Sequence, residues 1–105
     1  MSAKEVRQTD LFVDWLAGFR DERARARINV RIRRLSLGNP GDVRPVGAGV
    51  SELRIDYGPG YRVYYVEHGQ ELVILLCGGD KQTQARDIET AHTKAKELKA
   101  NDDEA

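Results

Sequence analysis

The chain is poor in most residues that would tie it to a special chemistry or compartment. It has one cysteine, Cys77, so no internal disulfide can form, and a buried reduced thiol in a cytoplasmic protein is expected. It has two histidines, His68 in a turn and His92 in a helical stretch, neither with a ligand-spaced Cys, His or acidic partner, which argues against a metal site. Neither Ser36 nor Ser51 has an adjacent histidine that would suggest a nucleophile. No run of about 18 apolar residues exists, so no membrane association is expected. "MSAKEVRQTD" lacks the apolar stretch of a secretory signal.

A 40% apolar share and 105 residues suit one small core, and a 32% charged share is high. Net charge is zero, but its distribution is uneven: residues 1–62 carry 12 Lys/Arg against 8 Asp/Glu, and residues 63–105 carry 5 against 9. A locally basic surface is therefore available for phosphates. The expected organisation is one domain over 1–99 and an acidic, flexible tail over 100–105.

"AKEVRQT" is an ambiguous opening strand. Thr9 or Asp10 can cap a helix over "TDLFVDWLAGF", whose Leu11, Phe12, Trp15, Leu16 and Phe19 form an apolar face. "DERARARINVRIRRLSLG" alternates like a strand at Ala24, Ala26, Ile28, Val30 and Ile32. It also carries a helical stripe, Ala24, Ile28, Ile32 and Leu35, and its length and its caps at Asp21 and Gly38 favour helix. "GNPGDVRPVGAG" reads as loop. "VSELRIDY", "YRVYYVEH" and "ELVILLC" read as three strands, the last covered on both faces, followed by a helix from Thr83. The expected fold is α+β, with helices on one face of an antiparallel-rich sheet.

Two-residue alternation puts Glu52, Arg54 and Asp56 on one strand face and pairs Arg62 with Tyr64 on the next strand. Cross-strand ion pairing of Arg62 with Glu52 or Asp56 explains these charges without any chemistry, and so does a phosphate site. Lys81 follows "CGGD", where two glycines permit close approach of a ligand and a helix start favours anions. Seven arginines lie between Arg20 and Arg34. They form either a solvated face or a surface for phosphates or a partner. What stands out is a cluster of cations and carboxylates suited to a phosphate.

"GVSELRIDYGPGYRVYY" and "LLCGGDKQTQARDI" resemble the RelE/ParE superfamily of type II toxins, within it the HigB-like branch of addiction module killer proteins. The resemblance implies a RelE-like microbial RNase-type fold, with two N-terminal helices packed on a twisted antiparallel sheet and a C-terminal helix. It implies a ribosome-dependent mRNA endonuclease that inhibits translation without a metal or other cofactor, by 2′-hydroxyl attack on the adjacent phosphate. Implied partners are a cognate antitoxin of helix-turn-helix type, the ribosome and mRNA, with operator DNA reached only through the antitoxin. Implied catalytic residues are Arg54, Arg62, Lys81, Glu52 and Asp87. Glu52 stands where relatives carry the second of two basic positions, a departure that would supply a carboxylate base instead, and Asp87 near where some relatives place a tyrosine, histidine or aspartate. Among the helix arginines, Arg23, Arg27 and Arg31 are the candidates to hold RNA, the ribosome or the antitoxin. The alternatives are a ParE-like toxin that inhibits DNA gyrase without nuclease activity, and a degenerate toxin that survives as an antitoxin-binding module.

Overall fold

The computed structural model describes residues 3–104, with side chains described for residues 3–101. The elements in chain order are β1 (Glu5–Gln8), α1 (Asp10–Ala17), α2 (Glu22–Ser36), β2 (Val43–Pro45), β3 (Ser51–Ile55), β4 (Tyr61–His68) and β5 (Leu72–Asp80). A 3-10 turn at Lys81–Thr83 then leads into α3 (Gln84–Glu104). The five strands form one mixed sheet in the order β1-β5-β4-β3-β2. β1 runs parallel to β5, and the other pairs are antiparallel. The architecture is α+β and consistent with a RelE-like fold.

Local chemistry sets the helix boundaries. Thr9 caps α1, accepting from the Phe12 amide at 3.1 Å while its hydroxyl donates to the Leu76 carbonyl at 2.6 Å, so the cap also ties the helix to β5. Asp21 caps α2 by accepting from the amides of Arg23 and Ala24. The helical stripe wins over the alternating pattern: Ala24, Ile28 and Leu35 are buried, while Val30, which a strand would bury with Ile28, is 56% exposed. Gly38, at φ +86°, ends this segment in the left-handed conformation that glycine adopts freely.

Two expectations need correction. "GNPGDVRPVGAG" contains the short strand β2, which pairs with β3 through Val43, Arg44 and Pro45. A three-residue edge strand ending in proline gives no alternating pattern to read. The helices cover both faces of the sheet, since each face carries its own core. Phe12, Ile28 and Leu35 pack with Leu53, Ile55, Val63, Tyr65, Val73 and Leu75 on one side. Ala91, flanked by Ile88, Ala95 and Leu98, packs with Val50, Tyr64, Val66, Leu76 and Cys77 on the other. The sheet is antiparallel-rich as expected, three of its four strand pairs being antiparallel, with β1 joining it parallel to β5. The backbone of α3 continues into the acidic end as far as Glu104; Ala105 and the side chains of residues 102–105 lie outside the described residues.

A bulge in β5 determines what the following glycines face. Tyr64 pairs with Cys77 and Tyr65 with Leu75, so Leu76 has no partner of its own on β4. Leu76 and Cys77 therefore both join the α3-side core, and the alternation resumes one residue out of phase. Gly78 then faces Trp15 of α1, and Gly79 faces Asp87 of α3.

Candidate functional site

β3 and β4 pair in a register that sets Arg54 opposite Arg62 and Glu52 opposite Tyr64. All four side chains project from the α3 side of the sheet, as alternation requires once Leu53, Ile55 and Val63 take the other side. Like charges directly opposite one another are unfavourable unless something lies between them. Glu52 meets that need. It is fully buried, and its carboxylate accepts from Arg54 Nε at 2.8 Å, from the Tyr64 hydroxyl at 2.9 Å and from Gln84 Nε2 at 2.9 Å. Arg62 Nε lies 3.6 Å from the same carboxylate, an ion pair too long to be a hydrogen bond. The Arg62 guanidinium is also held by Nη1 donating to the Gly60 carbonyl at 2.9 Å.

These contacts shape the ionisation of the cluster. Burial opposes the charge on Glu52, but the bonds from Arg54, Gln84 and Tyr64 outweigh it and hold the carboxyl below its ordinary pKa. The Glu52 hydrogen bond raises the pKa of Arg54. Burial, reinforced by its bond to Glu52, pushes the Tyr64 hydroxyl well above the tyrosine range, so it acts only as a neutral donor here.

Lys81 is exposed at the start of the 3-10 turn after β5. The "GPG" turn brings it beside Arg62: a Cβ added at Gly60 would lie 3.3 Å from Arg62 Nη1 and 3.7 Å from Lys81 Cβ. Gly60, at φ +83°, permits both this backbone shape and the approach. Arg54, Arg62 and Lys81 border one open cleft of about 280 Å³, with Tyr61 on its wall. The carboxylates that border it are Asp42 and Asp56.

Glu52 and Asp87 do not line this cleft. Glu52 is buried beneath the two arginines. Asp87 is 8% exposed, accepts a short hydrogen bond from the Thr83 hydroxyl and lies against Gly79, where any Cβ would collide with its carboxylate. The two glycines read as room for a ligand are instead occupied from within the chain, Gly78 by the Trp15 ring and Gly79 by Asp87. The helix start read as an anion site is also filled, because Asp80 accepts from the amides of Gln82 and Thr83.

Arg23, Arg27 and Arg31 line a larger groove of about 720 Å³ along α2, which meets the cleft at Ile55 and Asp56. Their surroundings differ. Arg31 donates to the carbonyls of Arg54 at 2.6 Å and Pro40 at 2.8 Å, so it fastens α2 to β3 and to the loop before β2. Burial lowers its pKa, and the neighbouring Arg34 adds to this. Arg27 stacks over the Tyr57 ring at 4.7 Å, a cation–π contact. Among the described residues no group of three or more His, Cys, Asp or Glu could hold a metal ion. No helix of the described residues is long and apolar enough to cross a membrane.

Sequence reasoning did not single out Tyr64 or Gln84 as members of the cluster. Alternation already put Tyr64 on the face of Arg62, and that was its only signal. Gln84 gave none, because it reaches Glu52 across 32 residues of sequence.

The chain is 51% identical to an uncharacterized protein of Haemophilus influenzae over 94 residues, which cover 90% of this chain and 95% of that protein. A family model matches residues 14–103 and overturns the assignment to the RelE/ParE superfamily. The family it describes falls among the Gp49/HigB-like toxins, in a different branch from RelE/ParE. The site roles drawn from RelE-like positions lose that support and rest on geometry alone. Membership is consistent with the toxin of a toxin–antitoxin pair, which makes an antitoxin the partner it suggests. With most of its length matched, the chain belongs to the family described as Phage derived protein Gp49-like (DUF891).

Proposed function

We propose that this chain is the toxin of a toxin–antitoxin pair and that it stops translation by cutting mRNA on the ribosome. The observation that carries this reading is the convergence of Arg54, Arg62 and Lys81 on one cleft, with the two arginines backed by a buried carboxylate. In the reaction, the ribose 2′-hydroxyl gives its proton to water in the open cleft as its oxygen attacks the adjacent phosphorus, the bond to the 5′-oxygen breaks, that oxygen leaves protonated as a 5′-hydroxyl, and a 2′,3′-cyclic phosphate remains. The crowded, doubly charged phosphorane is the species to be stabilised, and preorganised cations in a partly desolvated site are suited to it. Arg54 and Arg62 take the role of holding the equatorial oxygens. Lys81, exposed and mobile on its four-carbon stem, takes that of neutralising or protonating the leaving oxygen. Arg23 and Arg27, on the groove contiguous with the cleft, are the proposed contacts to ribosomal RNA. Membership of the Gp49-like family supports the toxin part of this reading.

The test is inducible expression in bacteria of the wild type and of Arg54→Ala, Arg62→Ala and Lys81→Ala, with transcriptome-wide mapping of mRNA 5′ ends. New ends within translated codons are expected for the wild type. They should fall by about 100-fold when a cation that stabilises the transition state is removed. Growth arrest without new ends would sink the nuclease, and DNA damage dependent on gyrase would replace it with a topoisomerase poison.

A further inference from the structure

Among the described residues, Glu52 is the one carboxylate with no exposed surface that is bonded from three separate elements. Arg54 reaches it along β3, Tyr64 from β4 and Gln84 from the first residue of α3, while Arg62 of β4 completes the set at 3.6 Å. A carboxylate offers about four acceptor positions, and three are filled by Arg54, Tyr64 and Gln84, with the Arg62 charge beside them. A general base needs access to the substrate proton, and Glu52, with no exposed surface, has none. Its neighbours do have access. The Arg54 side chain is 27% exposed into the cleft, and Arg62 lines the cleft too.

From this geometry we infer that Glu52, seated by Tyr64 and Gln84, is a positioning residue that aims Arg54 and Arg62 at a phosphate in the cleft. The inference rests on the phosphate-binding cleft of the proposed function and not on the cleavage step. Two guanidiniums set opposite one another across a strand pair would otherwise splay apart. The buried anion between them holds both on the cleft side of the sheet, so a phosphate meets donors already in place rather than ordering them as it binds. Tyr64 and Gln84 touch no part of the cleft. Their contribution is to keep the Glu52 carboxylate in one plane, since they supply the donors on Oε2 while Arg54 supplies the donor on Oε1.

The test uses the full chain and inorganic phosphate, followed by NMR of the arginine Nε–H groups. Glu52→Gln keeps the shape of the side chain and removes its charge. The Tyr64 hydroxyl can turn to accept and the Gln84 amide can flip, so the new amide can be satisfied where the carboxylate was. Wild type should bind phosphate, with the Arg54 Nε–H signal protected from solvent and moved by the ligand. Lys81→Ala, which weakens binding directly, locates the phosphate in the cleft. In Glu52→Gln the Arg54 signal should lose its protection, and phosphate affinity should fall by about tenfold, the scale of one charge-assisted bond. Tyr64→Phe should lower affinity by a few-fold with the charge intact, and it serves on its own if Glu52→Gln does not fold. Undiminished affinity in folded Glu52→Gln or Tyr64→Phe overturns the inference, and so does wild type that binds no phosphate. A residue acting only as a base, or only in stability, would leave phosphate affinity unchanged. If phosphate binding behaves as described but mRNA remains uncut, the nuclease reading fails and the anchor stands.

Discussion

Arg54 and Arg62 are direct partners across the β3–β4 ladder, and the Glu52 carboxylate joins the two guanidiniums at 2.8 Å and 3.6 Å. The arrangement answers why a small domain places arginines on strands that could carry apolar side chains. A strand holds its side chains in fixed directions, so charge mounted on the sheet keeps its geometry better than charge on a loop. The structural explanation by ion pairing and the functional one are therefore two aspects of one cluster. The same carboxylate that offsets part of the pair's charge is the one proposed to orient it.

The charge on Glu52 should be visible in stability against pH. Its folded pKa is depressed, so the stability it contributes is fully present above the ordinary carboxyl pKa, about 4.3. That stability is lost as pH falls through the depressed folded value. Urea unfolding of wild type and Glu52→Gln between pH 7 and pH 3 should show the wild-type advantage constant near neutrality and shrinking below about pH 4.3. A difference that grows on acidification would mean that burial, not the bonds from Arg54, Gln84 and Tyr64, governs this group.

Gly78 is required by packing rather than by backbone conformation. An added Cβ would lie 2.3 Å from the Trp15 ring, which is wedged between Phe12 and Phe19 in an aromatic cluster reaching Tyr61. Gly78→Ala should destabilise the chain by about 1–3 kcal/mol, the usual cost of overpacking a filled core. Equilibrium denaturation measures it. Gly38→Ala, where nothing lies within 4 Å of the new methyl, should be limited to the strain of its φ of +86°.

Arg31 and Arg23 belong to the same helix and the same groove, yet they should respond differently to truncation. Arg31→Ala removes donors to the Arg54 and Pro40 carbonyls and should cost about 1–3 kcal/mol of stability. Arg23→Ala, at an exposed position, should stay within about 0.5 kcal/mol. If Arg23 touches the ribosome, its variant should lose toxicity while keeping the melting temperature. Equal destabilisation by the two changes would contradict the division.

Cys77 should be silent to thiol reagents. Burial, reinforced by the nearby Asp87 charge, pushes its thiol up to about 12, so almost none is thiolate near pH 7. Aromatic disulfide reagents should label it only after unfolding, and fast labelling of the native chain would show that the α3 side of the sheet opens readily.

Much of the fold was legible in the amino-acid order because it rests on local periodicity. The stripe Ala24, Ile28 and Leu35 outweighed the strand-like alternation once the caps at Asp21 and Gly38 were counted. Strand alternation placed Glu52, Arg54, Arg62 and Tyr64 on shared faces, as the register has them. β2 was not legible, since three residues ending in Pro45 carry no period. Nor was the side of the sheet that α3 would cover, because an apolar helical stripe says that a face is buried but not against what.

The sequence by itself determined which cations are proposed to meet a phosphate: Arg54 and Arg62, at strand positions set by a two-residue repeat, and Lys81 just beyond the last strand. Only the tertiary structure decided which of the surrounding carboxylates they meet. Glu52 is drawn into the cluster by Gln84, 32 residues further along the chain, while Asp87 is turned against Gly79 by a bulge at Leu76. A one-residue slip in a strand reverses every later side chain, and a helix can place any one face on the sheet. Such contacts depend on packing between distant segments, which no local pattern encodes.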